Sequence, residues 1–171
     1  MGKSLLILGA GGHGKVVKEV ALAMKSASGN IYEYVDFLDD NSLDAIGKIS
    51  EVELYINQYD EAFCGIGNNQ FRKVILEKLA ILGYEIPVLI HPSAYVSDTA
   101  VIGKGTVVEP KAIVNANTVV GSGCIISVGA IVDHNVTVGD CCHVNAGAIC
   151  EAGSKLEVCT KLEVGEVVKG Y

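Results

Sequence analysis

Four histidines, at positions 13, 91, 134 and 143, carry most of the acid–base capacity this chain offers near neutral pH. Imidazole titrates close to neutrality, so a neutral ring can take a proton from an amine or a hydroxyl. His134 lies between Asp133 and Asn135, and the apolar positions around it are already filled by Val132, Val136 and Val138. It is expected to point outward and to serve as a general base. Asp133 could orient it, although consecutive side chains diverge. His143 comes nine residues later, half of an eighteen-residue period described below, so the two rings do not easily meet within one subunit but could meet across a subunit interface. His91 stands beside Pro92 and reads as structural.

A second group of residues suits an anion. Gly9-Ala10-Gly11-Gly12-His13-Gly14-Lys15 follows a short apolar run and precedes Val16, Val17, Val20, Ala21 and Met24 at helical spacing. That order, strand, glycine turn, helix, aims backbone N–H groups at a phosphate or pyrophosphate. Gly9, Gly11 and Gly14 satisfy a GxGxxG-like spacing, which is weak alone, and a tight turn without ligand is the competing reading. No Lys-Ser/Thr closes the loop, so it is not a Walker A motif. Asp39 and Asp40 end the next apolar segment and could accept from a ribose or a base; they read equally well as turn residues. Gly67-Asn68-Asn69 ends the third. Asn68 or Asn69 is expected to cap a helix that turns Phe71, Val74, Ile75, Leu79 and Leu82 inward and stops at Gly83.

The elements that must position these residues fall into two grammars. Over 1–84, strands alternate with helices, which predicts a small Rossmann-like βαβ sheet with ligands beyond the carboxyl ends of its strands. Over 85–171, an aliphatic position recurs every six residues, from Ile90, Val96 and Ile102 through Val144 to Val168. Four residues after most of them comes a small residue such as Ala94, Thr106, Cys124 or Ala148. Neither a helix nor a lone strand has that period; a parallel β-helix with three flat faces does, here about four and a half coils. Its uncovered aliphatic faces predict a homotrimer.

Composition sets further bounds. A net charge of −7 argues against a nucleic-acid-binding protein. The apolar run Leu5–Leu8 is too short for a signal core or a membrane span, so a cytoplasmic protein with no membrane partner is expected. The six cysteines show no CxxC pair or zinc-finger spacing and read as reduced and mostly packed, with no metal site. A γ-class carbonic anhydrase would use three histidines, but His91 lies roughly 10 Å along the axis from the others at one strand spacing per coil.

GAGGHGK at Gly9–Lys15, FLDD at Phe37–Asp40, GIGNN at Gly65–Asn69, HPSA at His91–Ala94, VDHN at Val132–Asn135 and HVNAGA at His143–Ala148 together cover the whole chain. In this combination it resembles the left-handed β-helix acyltransferases with an N-terminal nucleotide-sugar-binding domain. It looks most like the acetyl-CoA-dependent N-acetyltransferases of UDP-linked 4-amino-4,6-dideoxy sugars, with sugar and sialic acid O-acetyltransferases as near relatives. The resemblance implies His134 as the base that deprotonates the attacking amine, and His143 as donor to the thioester carbonyl or holder of the cofactor. It implies a site shared by two subunits of a trimer. It also implies that Gly11, Gly12, His13, Gly14, Asp39, Asp40, Gly67 and Asn68 hold UDP, and that His143, Asn145, Gly147 and Ala152 line the path of acetyl-CoA. Two departures stand out: such enzymes carry a carboxylate where this chain has Asn135, and often an asparagine where it has Ser127. Lys155, Lys161 and Lys169 could meet the cofactor phosphates but read more simply as solvated. A non-catalytic nucleotide-sensing trimer is the competing class.

Overall fold

Every sixth residue from Gly105 to Gly165 turns a corner: at 105, 111, 117, 123, 129, 135, 141, 147, 153, 159 and 165, φ lies between 56° and 73°. The left-handed region is costly for most L-residues, so these corners hold six glycines together with Lys111, Asn117, Asn135, Cys141 and Cys159. The computed structural model describes residues 2–26 and 29–171. Between corners run two-residue strands that stack in parallel into three sheets. The first face holds Leu89–Ile90, Val107–Val108, Ile125–Ile126 and His143–Val144. The second holds Tyr95–Val96, Ile113–Val114, Ile131–Val132, Ile149–Cys150 and Val167–Val168. The third holds Val101–Ile102, Val119–Val120, Thr137–Val138 and Lys155–Leu156.

The second residue of each pair points inward, and with the small residues it forms one continuous core from Val108 to Leu162. The small positions also close hydrogen bonds between corners. Thr106 Oγ1 donates to Gly121 O (2.8 Å), Thr118 Oγ1 to Asp133 O (2.6 Å), Cys124 Sγ to Gly139 O (3.1 Å) and Cys142 Sγ to Glu157 O (3.0 Å). A small residue with a weak donor fits this place, which is why threonine and cysteine alternate with alanine there.

The N-terminal part consists of β1 (Lys3–Leu8), α1 (Gly12–Ala23), β2 (Lys25–Ser26), β3 (Gly29–Asn30), β4 (Tyr32–Leu38), β5 (Ala45–Gly47), a 3-10 turn (Ile49–Tyr55), β6 (Glu61–Cys64) and α2 (Asn69–Leu82). Its main sheet has the order β5-β4-β1-β6, all parallel. The chain runs from β1 outward through β4 and β5, then returns to the other side of β1 with β6. The loops after β1 and β6 therefore flank the switch point where such sheets bind ligands. Among the described residues no helix is long and apolar enough to cross a membrane.

Asn68 is the N-cap of α2, accepting from Phe71 N, and Gly83 closes it with φ 83°. The inward face differs from the expected one. Phe71 and Val74 are 47% and 57% exposed, whereas Asn69, Arg72, Ile75 and Leu79 are buried. The stripe is rotated because the helix packs its first turn on the β-helix corners through polar groups, and the apolar pattern alone does not register that.

The first β-helix face is covered by the N-terminal part. Its outward residues Leu89, Val107 and Ile125 pack in one core with Leu5, Ile7, Val17 and Phe63. Each such buried aliphatic side chain contributes about 1.5–3 kcal/mol relative to exposure. The fourth outward residue of that face is His143, so the fold itself puts this ring at the junction. The other two faces keep their outward rows partly open, with Tyr95 57%, Val101 59%, Val119 46% and Val167 44% exposed.

Candidate active site

The glycines of the first loop divide into two kinds. A Cβ on Gly14 would stand 2.0 Å from the Gly9 carbonyl oxygen, and one on Gly65 would stand 2.8 Å from the Gly14 Cα. These three let α1 lie directly on the ends of β1 and β6. Gly11, Gly12 and Gly67 have nothing within 4 Å of a Cβ position, so their backbone is open to a ligand. Gly11 is the N-cap of α1 and no side chain caps that helix. Its first-turn N–H groups are left for solvent or an anion.

Asp39 is committed to holding the turn. Its Oδ2 accepts from Ala10 N (2.8 Å), and its Oδ1 accepts from Asn41 N (2.9 Å) and Ser42 N (3.0 Å). The Ala10 bond and the other two hold its carboxyl below the ordinary carboxylate range. Asp40 is exposed beside it. A hollow of about 520 Å³ lies alongside, lined by Lys15, Lys18, Glu19, Leu22, Phe37 and Asp44, with Lys15 Nζ 3.3 Å from Asp44. Lys18 lies over the Phe37 ring at 5.0 Å. Lys15 closes the glycine motif itself, whereas Lys18 lies a helical turn beyond the last glycine and is not part of any sequence motif.

The third loop is fixed from below by Arg72, which is 1% exposed. Its Nε donates to Gly123 O (2.6 Å); Nη1 donates to Ile66 O and Gly67 O (both 3.1 Å); Nη2 donates to Asn69 Oδ1 (2.7 Å), Cys141 O (3.0 Å) and Cys142 O (3.3 Å). Asn69 Nδ2 adds bonds to Cys159 O (3.0 Å) and Thr160 O (3.2 Å). One helical turn thus satisfies stacked β-helix corners and the ligand-side loop together. A charged residue inside an apolar stripe was the sequence signal for it.

His143 follows directly. Its Nε2 lies 3.0 Å from Ser127 Oγ, and its Nδ1 is buried with no partner. Burial, then the Arg72 guanidinium, then His13 and Lys161 push its pKa down from 6.5 to about 4. His13 lies in the same junction, with its Nδ1 3.6 Å from Glu109 Oε1. Ser127 and Glu109 occupy equivalent corner positions on adjacent coils, as do His91 and Asn145, a polar row legible only in the register. His91 itself turns its Nδ1 to Ser93 Oγ (2.8 Å).

His134 is elsewhere, exposed at the corner between the second and third faces. Asn135, not Asp133, meets its ring: Asn135 Nδ2 is 3.0 Å from His134 Nδ1. Asp133 Oδ1 instead accepts from the His134 backbone N–H (2.7 Å) and Asn115 Nδ2 (3.1 Å). The cofactor candidates split between the two corners. Asn145 and Gly147 form the turn just after His143, and Asn145 Oδ1 accepts from Ala146 N (2.8 Å). Ala152 stacks on His134 one coil up, and its carbonyl accepts from Tyr171 N (3.4 Å).

The cysteines are all free, and all but Cys159 are buried. Burial pushes the thiols of Cys64 and Cys150 up to about 12. Cys142 lies at 0% exposure in the core, where its Sγ donates to Glu157 O (3.0 Å). No group of three or more His, Cys, Asp or Glu among the described residues is placed to hold a metal ion.

Residues 4–79 match the PglD N-terminal domain. The UDP-N-acetylbacillosamine N-acetyltransferase of Bacillus subtilis (strain 168) is 35% identical over 117 residues, which cover 62% of this chain and 51% of that protein. The match thus spans only about half the length of that curated relative. The acetyltransferase domain of PglB from Neisseria gonorrhoeae FA1090 superposes with a TM-score of 0.90 at 36% identity, covering 98% of this chain and 83% of that one. That domain is also known in complex with acetyl coenzyme A. PerB from Caulobacter crescentus, in complex with CoA and GDP-perosamine, superposes with a TM-score of 0.83 at 26% identity over 98% of this chain and 89% of its own. With this sheet order, this β-helix and these matches, the chain belongs to the left-handed β-helix sugar acetyltransferase family whose members carry a PglD-type N-terminal domain.

Proposed function

We propose that this protein transfers acetyl from acetyl-CoA to the 4-amino group of a UDP-linked 4-amino-4,6-dideoxy sugar, in a site completed between two subunits of a homotrimer. The observation that carries this reading is the placement of the two histidines. His143 lies under the glycine loop at the domain junction, while His134 stands exposed at another corner of the triangle, beside an open aliphatic face. One chain cannot bring both rings to one substrate. A second copy packed on the open face can.

The diphosphate meets the free amides of Gly11 and Gly12 at the start of α1, with Lys15 and Lys18 beside them. Asp40, Gly67 and Asn68 line the same cleft, and Asp39 supports it through Ala10. The neutral amine attacks the thioester carbonyl carbon and the C–O π electrons move to oxygen. His134 takes the amine proton as the C–N bond forms. The intermediate collapses with loss of the C–S bond, and the imidazolium returns that proton to the leaving thiolate. With Ser127 donating to its Nε2, His143 keeps a proton on Nδ1 and can stabilise the oxyanion without carrying charge. Asn145, Gly147 and Ala152 offer backbone groups to the pantetheine arm. No acyl-enzyme is needed, which agrees with five of the six thiols being buried.

The test is thiol release from acetyl-CoA in the presence of UDP-, GDP- and CMP-linked amino or hydroxy sugars. A curated relative is named for a UDP sugar and a structural neighbour binds a GDP sugar, so calorimetry with the bare nucleotides decides the base. His134→Ala is expected to abolish turnover with nucleotide binding intact; undiminished turnover would remove His134 from its role.

A further inference from the structure

Among the described residues, three buried side-chain polar atoms lack a partner: His13 Nε2, His143 Nδ1 and Ser154 Oγ. Two of the three are ring nitrogens at the domain junction, one from each domain, close enough that His13 contributes to the depressed pKa of His143. Buried polar groups are nearly always satisfied, so a pair left without partners beneath the glycine loop points to polar atoms that a ligand would bring to the junction. Beside His13 stands Glu109, 6% exposed. Its Oε2 accepts from Val128 N (2.9 Å), and its Oε1 lies 3.6 Å from His13 Nδ1. The equivalent corner positions in neighbouring coils hold His91, Ser127 and Asn145, so a carboxylate here is not a requirement of the coil.

We propose that Glu109 is a positioning residue for His13. The carboxylate draws the ring proton to Nδ1, and Nε2 is left as a lone pair at the junction that accepts a hydrogen bond from a hydroxyl or amine N–H of the nucleotide sugar. Because Glu109 belongs to the β-helix and His13 to α1, the same contact sets the glycine loop relative to the coil that carries Ser127 and His143. The proposal rests on the cleft being a nucleotide-sugar site, and it names the group that reads the sugar's donor there.

Glu109→Gln separates charge from shape. If the amide oxygen keeps the Val128 N–H bond, the NH2 group faces His13 Nδ1 and donates to it, which forces the ring proton onto Nε2. Nitrogen-15 spectra of the imidazoles, assigned with His13→Asn, read the tautomer directly. The wild-type ring is expected with Nε2 unprotonated, and Glu109→Gln with the reverse. The same variant should lower kcat/KM for the nucleotide sugar about tenfold, the worth of one hydrogen bond, while KM for acetyl-CoA stays put. Glu109→Asp keeps the carboxylate and should retain the wild-type tautomer; it also serves if the glutamine variant does not fold. A wild-type ring protonated on Nε2, or a ring unflipped in Glu109→Gln at any rate, overturns the proposal. So does a flipped ring with undiminished kcat/KM, and in that case acetyl transfer itself still stands. Should no nucleotide sugar be acetylated, the proposed function falls while the ring spectra still judge the pair.

Discussion

Arg72 and His143 come from different domains, yet the guanidinium donates to the carbonyls of Cys141 and Cys142 immediately before the imidazole and helps keep it uncharged. A buried cation bonded to six neutral oxygens is an expensive feature, since burial itself pulls the arginine towards its neutral form. What it accomplishes is positional. It ties the Gly67 loop, the start of α2 and two stacked corners into one block, Asn69 adds a third corner, and the guanidinium biases the ring beside that block.

Stability should therefore depend on pH through His143. The unfolded ring takes its proton near 6.5, while the folded ring resists until about 4. Between those values the unfolded chain binds more protons, so stability is full above pH 6.5 and drains away as pH falls towards 4. Thermal midpoints measured across that window should fall less steeply for His143→Gln than for the wild type. Parallel curves would show that the ring is not held neutral.

Replacing Arg72 by Met leaves those carbonyls without donors in the interior. A loss of about 3 kcal/mol or more is expected in chemical denaturation, because orphaned buried acceptors cost more than the bonds were worth. Arg72→Lys should recover less than half of that, since an ammonium cannot reproduce the planar fork that reaches both the loop and the corners.

The glycine loop gives a contrast inside four residues. Gly14→Ala forces a methyl against the Gly9 carbonyl at 2.0 Å, and should destabilise by on the order of 3 kcal/mol. Gly12→Ala meets nothing within 4 Å, so its melting temperature should hold or rise slightly. Its nucleotide affinity should fall, because the added methyl stands where the backbone meets the ligand. Calorimetry and thermal denaturation of the two variants should move in opposite senses.

How far the sequence could be read depended on how local each cause was. The β-helix was plain because its cause repeats: an inward aliphatic and a small residue in every six. The alternation that gives β1, β4 and β6 was equally local. What stayed hidden depends on packing between parts. Phe71 and Val74 matched a helical stripe, but the stripe that packs is the one carrying Asn69 and Arg72, chosen by carbonyls in corners some fifty to ninety residues away. Asp39 and Asp40 are indistinguishable as letters, and only the Ala10 amide separates them. Glu109 looked like any corner residue until His13 was laid beside it.

The proposed site between subunits makes a prediction about mixtures. His134→Ala and His143→Ala should each be inactive as pure proteins. Reassembled together at equal amounts, a site is whole only where an intact His134 faces an intact His143 from the other variant. Random assembly about a three-fold axis then restores about a quarter of wild-type activity. Zero recovery, with mixed trimers confirmed by mass after one variant is given an affinity tag, would place both rings' work within one chain. Ile131→Glu on the open second face should give a monomer of 17.9 kDa by light scattering, and that monomer should be inactive while still binding nucleotide.

Asn135, the residue after the proposed base, gives the sharpest test of the chemistry. Position 135 lies at φ 57°, a corner that asparagine and aspartate both tolerate. An amide can present either end to His134 Nδ1. With Oδ1 there, the ring proton sits on Nδ1 and Nε2 is the base; with Nδ2 there, as at 3.0 Å in this structure, Nε2 holds the proton and cannot accept another. Productive turnover therefore requires the amide to rotate, and the free choice between two ends costs rate. Asn135→Asp removes the choice, since a carboxylate only accepts, and it also stabilises the imidazolium that forms. Its kcat should rise several-fold, about 1 kcal/mol in barrier, with KM for both substrates little changed. Asn135→Ala, which cannot hold the ring at all, should fall below the wild type. If the aspartate variant is no faster, amide rotation does not limit the base, and another group sets the tautomer of His134.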